Sequence, residues 1–86
     1  MNYFVIDVRE PDEFATGHVN GSINITARQI LSQDNKLQNL PKDTNILVYC
    51  RTGNRANTAK VILQQLGFSN VTNGINQANI EANYDL

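Results

Sequence analysis

The residues best equipped for chemistry lie between Ile46 and Leu66. The apolar run Ile46-Leu47-Val48-Tyr49 ends at Cys50, the only cysteine in the chain, and Arg51-Thr52-Gly53-Asn54-Arg55 follows at once. Beyond this loop Ala59, Ile62, Leu63 and Leu66 fall at i, i+3, i+4 and i+7, the spacing of one helical face. Gly67 supplies a left-handed stop, and Phe68 is placed to fold back on the last turn. The pattern predicts a strand, a tight loop and a helix, with the thiol at the turn. The first amides of a helix lack partners within it, and their dipoles sum to a partial positive charge. Cysteines in such surroundings commonly titrate at about 3.5 to 7.5, so the expected species is a thiolate. Arg51 and Arg55 bracket the loop and add positive charge. Gly53 allows successive amides to turn into one concavity. Arg55, in the first helical turn, is expected to meet an anion there, whereas Arg51 is as well placed to point outward. Thr52 and Asn54 are expected to shape the loop rather than to touch substrate through their side chains. A buried structural thiol is the plain alternative for Cys50, and its place before a loop with glycine and arginine favours the nucleophile.

Two other positions invite a chemical role. Asp7 and Arg9 lie two apart, on one face near the end of the first apolar run. They would either form a pair that supports the loop from beneath or serve as structural charges, with Arg9 meeting Glu13; the structural role is favoured. His18 sits between Gly17 and Val19, far along the chain from Cys50, and a helix end already activates the thiol without a base. One cysteine and one histidine cannot provide the three or four ligands of a usual metal site, so no metal is expected.

The elements that must hold these residues follow from the rest of the pattern. Tyr3 to Val8 is β-branched and aromatic and predicts a mostly buried first strand. Pro11 suits the first turn of a short helix that runs to a stop at Gly17. After the turn at His18 to Gly21, the alternation of Ser22 to Ile25 predicts a short strand. Thr26 is a plausible cap for a helix that uses Ala27, Ile30 and Leu31. Leu37, Leu40 and a turn at Pro41-Lys42-Asp43 lead into the central strand. Past the helix, Asn70 to Thr72 predicts another strand, Asn73-Gly74 a turn, and Ile75 to Ala82 a last short helix. Strands alternating with helices argue for a three-layer α/β domain, with a mainly parallel central sheet of about five short strands. The crossover from the strand ending at Cys50 to that at Val71 is expected to be right-handed, with the functional crevice beyond the carboxyl ends of the strands.

At 86 residues the chain has room for one core, so residues 1–86 are expected to form a single domain. A net charge of -1 argues against nucleic acid as a partner. No stretch approaches the roughly 18 apolar residues of a membrane span, and no leader precedes the first strand. A soluble, monomeric, cytoplasmic protein is expected, the alternative being a periplasmic form whose leader has been removed. A lone cysteine forms no internal disulfide, so the fold must rest on its core.

Taken together these residues resemble the single-domain rhodanese sulfurtransferases, most of all the small phage-shock-type members. The resemblance runs through Ile6-Asp7-Val8-Arg9-Glu10 with Glu13-Phe14, then Gly17-His18-Val19-Asn20-Gly21-Ser22-Ile23-Asn24-Ile25. It continues through Val48-Tyr49-Cys50-Arg51-Thr52-Gly53-Asn54-Arg55-Ala56, and Ala59, Leu63, Leu66-Gly67-Phe68 and Val71. It implies a rhodanese-like fold and sulfane-sulfur transfer without a cofactor. Cys50 would take sulfur from a small anionic donor such as thiosulfate, form a persulfide and pass the sulfur to cyanide or to a small-molecule or protein thiol. The amides of residues 51–55 would cradle the persulfide and the donor's oxygens, and the histidine at position 18 would be structural. The chain departs from the pattern near its end, where many relatives carry paired glycines and then a tryptophan: here the residues are Asn73-Gly74, and there is no tryptophan. Two other functions are compatible with parts of the sequence. A cysteine-loop phosphatase or arsenate reductase would resemble a loop one residue longer, since only four residues separate Cys50 from Arg55. A non-catalytic rhodanese-like module that binds a protein partner often lacks the cysteine retained here.

Overall fold

A computed structural model describes residues 2–86 of the chain. Among them the elements run β1 (Phe4–Asp7), α1 (Pro11–Ala15), β2 (Ile23–Asn24), α2 (Ala27–Leu31), α3 (Asn35–Gln38), β3 (Ile46–Cys50), α4 (Asn54–Gln65), β4 (Val71–Asn76) and α5 (Gln77–Asn83). The strands form one sheet in the order β2-β1-β3-β4, and every neighbouring pair is parallel. The sheet therefore has four strands among the described residues, not the five expected.

All five residues of β3 are buried, as suits a central strand covered on both faces. Its side chains alternate between two cores. Ile46, Val48 and Cys50 join Ile6, Val8, Ile30 and the α4 residues Ala56, Ala59 and Leu63 on one side. Leu47 and Tyr49 pack with Val5, Val19 and Ile80 of α5 on the other. This is the three-layer arrangement, and the period of two in β3 decides that the Cys50 thiol faces α4.

The end of α4 follows its sequence signals. The Gly67 amide donates to the Gln64 carbonyl at 3.0 Å and the Phe68 amide to that of Leu63 at 3.1 Å, with Gly67 at φ 101°. This is the Schellman pattern, and Phe68 is buried against the core. Within the helical stripe Ala59 and Leu63 are fully buried, while Ile62 and Leu66 lie at the margin. Leu31, expected on the inner face of α2, is instead 63% exposed. A helix of five residues turns only one narrow face inward, and Ile30 occupies it.

The Asn73-Gly74 turn is not formed. Both residues lie within β4, and the last helix starts at Gln77 rather than at Ile75. The register explains the turn signal: Val48 pairs with Asn73 but Cys50 with Asn76, so β4 carries an extra residue opposite β3. This bulge is where Ile75 takes φ 72°, a conformation rare for a β-branched residue. Gly74 is required there for another reason. A Cβ at that position would lie 2.8 Å from the Ile80 side chain, which packs directly over it.

Candidate active site

Cys50 ends β3 at the carboxyl edge of the sheet, and α4 begins four residues later. Gly53, at the N-cap of α4, has no side chain with which to satisfy the helix's first amides, and adopts φ 93°. The thiol takes that place. Cys50 Sγ accepts hydrogen bonds from the Gly53 amide at 3.1 Å and the Ala56 amide at 3.4 Å. Burial opposes ionisation of the thiol, but the amides of Ala56, Thr52, Gly53 and Arg55 outweigh it and hold its pKa below the ordinary value. The sulfur is thus a helix-capping acceptor, and a capping acceptor is strongest as an anion.

The expected site residues are brought together in part. Arg51 and Thr52 lie exposed on the loop, Gly53 is buried within it, and the exposed Asn54 and half-buried Arg55 open α4. Among the described residues Arg51 enters no ion pair. Arg55 is committed elsewhere: its guanidinium donates to Glu13 Oε1 at 2.7 Å and to Oε2 at 3.1 Å. The Glu10 amide also donates to Glu13 Oε1, at 3.0 Å. The Arg55 hydrogen bond, then that of the Glu10 amide, draws the Glu13 carboxyl down to about 2. The pairing of Arg9 with Glu13 expected from sequence is replaced by this one, because Arg9 is taken by Asp7.

Asp7 is fully buried and accepts from Arg9 Nε at 2.9 Å and from Arg9 Nη2 at 2.6 Å. Arg9 Nη2 also donates to the Gly17 carbonyl at 2.7 Å, and the guanidinium stands over the Tyr49 ring, 5.6 Å from its centroid. Among the described residues neither side chain makes a hydrogen bond to residues 50–55. The pair lies with Tyr49, whose side chain leaves the sheet on the face opposite to that of Cys50. Tyr49, not singled out in the sequence, receives the Val19 amide on its hydroxyl at 2.9 Å and so fixes the turn after His18. His18 is stacked on Phe14, with centroids 3.6 Å apart, and its Nδ1 lies 2.9 Å from the Phe14 carbonyl.

Asn73 is the loop contact that sequence reasoning missed. Its Nδ2 donates to the Gly53 carbonyl at 3.0 Å, and its Oδ1 accepts from the Ile75 amide at 2.9 Å. The Asn-Gly dipeptide was the only signal, and it pointed to a turn. A cavity of about 310 Å³ lies elsewhere, lined by residues that include Tyr3, Asn20 and Asp85, and it touches none of the loop residues.

The family model described as "Rhodanese-like domain" matches residues 1–77. The chain is 35% identical to thiosulfate sulfurtransferase PspE of Escherichia coli, over 79% of this chain and 64% of that protein. It is 33% identical to thiosulfate sulfurtransferase GlpE of Pseudomonas entomophila, over 78% of this chain and 59% of that one. The chain thus spans about three-fifths of the length of these two relatives. Among solved structures, a rhodanese with anions from E. coli superposes with a TM-score of 0.81 at 30% identity, covering 92% of each chain.

Proposed function

This chain belongs to the rhodanese-like domain family, and from that membership we propose that it is a sulfurtransferase working through a Cys50 persulfide. In the first half-reaction the Cys50 thiolate attacks the outer sulfur of thiosulfate. A new S–S bond forms at Cys50, the old one breaks, and sulfite leaves with the electron pair of the broken bond. In the second, cyanide or a thiolate attacks the outer sulfur of the persulfide and the Cys50 thiolate is restored. No external oxidant or reductant enters either step. The observation that carries the proposal is the pair of amides, from Gly53 and Ala56, directed at Cys50 Sγ. They favour the nucleophilic anion in the resting state and would favour the terminal sulfur anion of the persulfide in the same way.

The partners proposed are a small anionic sulfur donor and a small-molecule or protein thiol acceptor, served by a monomer. Loop amides and the exposed Arg51 would receive the donor's oxygens, with Arg55 holding the loop through Glu13. The similar E. coli rhodanese was solved with anions, which suits a donor of this charge. A thiol acceptor is kept reduced in the cytoplasm, and that is the compartment proposed.

The test is turnover. With thiosulfate and cyanide, the protein is expected to form thiocyanate, and Cys50→Ser is expected to abolish it. Turnover that survives Cys50→Ser, or hydrolysis of an aryl phosphate in its place, would overturn the proposal.

A further inference from the structure

We propose that Asn73 is a positioning residue for the Cys50 loop, its carboxamide fastening the loop backbone to the bulge in β4. The carboxamide uses both ends. Nδ2 binds the carbonyl of Gly53, the residue that also donates an amide to Cys50 Sγ. Oδ1 binds the amide of Ile75, whose backbone is held at φ 72°. The Gly53 carbonyl already accepts the first helical hydrogen bond of α4, from the Asn57 amide at 2.9 Å. Asn73 Nδ2 is therefore the second donor on one oxygen, and with Asn57 it fixes the orientation of the Gly53 residue from two sides. Gly53 has no Cβ to restrict it, so without Asn73 its left-handed conformation would be held by the α4 hydrogen bond and by its own amide's bond to Cys50 Sγ. A left-handed conformation at a β-branched residue persists only where its surroundings hold it, and Asn73 supplies that hold to Ile75 while tying it to Gly53.

This role rests on Cys50 acting as a thiolate but not on the identity of the sulfur donor. The experiment is accordingly the pH dependence of Cys50 alkylation by iodoacetamide in the full chain, which needs no donor. Asn73→Ala is expected to move the alkylation midpoint upward and to slow the reaction about threefold at a pH below the wild-type midpoint, in step with the lost thiolate fraction. Asn73→Leu keeps the bulk of the side chain without adding charge, but can neither donate to the Gly53 carbonyl nor accept from the Ile75 amide. It is expected to move the midpoint the same way, and it decides the matter if the alanine variant does not fold. Asn70→Ala removes a comparable hydrogen bond, from Asn70 Nδ2 to the Asp43 carbonyl at 2.9 Å, one residue before the start of β4. Its midpoint is expected to match the wild type. Unchanged midpoints in both Asn73 variants, or an equal shift in Asn70→Ala, would overturn the proposal, since a merely structural asparagine would lower stability and leave the thiol alone. An absence of thiocyanate formation would count against the sulfurtransferase reading and not against this one.

Discussion

Cys50 Sγ stands where a serine or aspartate oxygen stands at an ordinary helix start, and this substitution of acceptor is the chemistry of the site. A neutral thiol is a poor acceptor, so the two amides that reach it favour the anion. The sequence showed the cysteine, the glycine and the helix that follows, because these are neighbours in the chain. It also suggested that Arg51 and Arg55 share in holding the anion; in the structure Arg55 pairs with Glu13, 42 positions away, a pairing no local pattern could signal, while its charge still meets that of Cys50. Asp7 and Arg9 could be read as a pair from their spacing, but not the full burial of Asp7. Removing Arg9 would leave that carboxylate buried without its partner. Arg9→Ala is expected to destabilise the fold by about 3–5 kcal/mol, measured by urea unfolding at neutral pH. A loss below about 1 kcal/mol, the scale of an exposed pair, would show that Asp7 is not held as described.

At the scale of elements, the loop is held from two directions, by α1 through Glu13 and by β4 through Asn73. The Glu13 contact has a pH signature. Its carboxyl is drawn from 4.5 to about 2, first by the hydrogen bond from Arg55 and then by that from the Glu10 amide. A carboxyl with a depressed value in the folded state adds stability above its unfolded value, and this is lost as pH falls from about 4.5 through 2. Glu13→Gln is expected to flatten the fall of stability across that window, as followed by urea midpoints at several pH values. An identical slope in the variant would mean that the Arg55 contact is not kept in solution. The strands β1 and β3 were legible as apolar runs, and the cap of α4 as Gly67 and Phe68. β4 was legible only at its start, around Asn70 to Thr72, because its bulge uses the Asn-Gly pair that normally marks a turn, and the positive φ falls one residue later, at Ile75.

For the molecule as a whole, the parallel order β2-β1-β3-β4 puts the end of β3 at the middle of the sheet's carboxyl edge, between β1 and β4. A crevice in that position is the usual site in open α/β sheets, so the topology and the thiol lead to the same place. The fold class could be read from the alternation of strands and helices. All four observed strands carried a pattern, at Tyr3 to Val8, Ser22 to Ile25, Ile46 to Tyr49 and Asn70 to Thr72, and the fifth that was expected has no counterpart among the described residues. The central claim is that Cys50 carries sulfur covalently, and intact-mass measurement after incubation with thiosulfate tests it most directly. The account predicts a gain of one sulfur atom that a reducing agent removes and that Cys50→Ser does not show. No gain, or a gain that persists in Cys50→Ser, would contradict it.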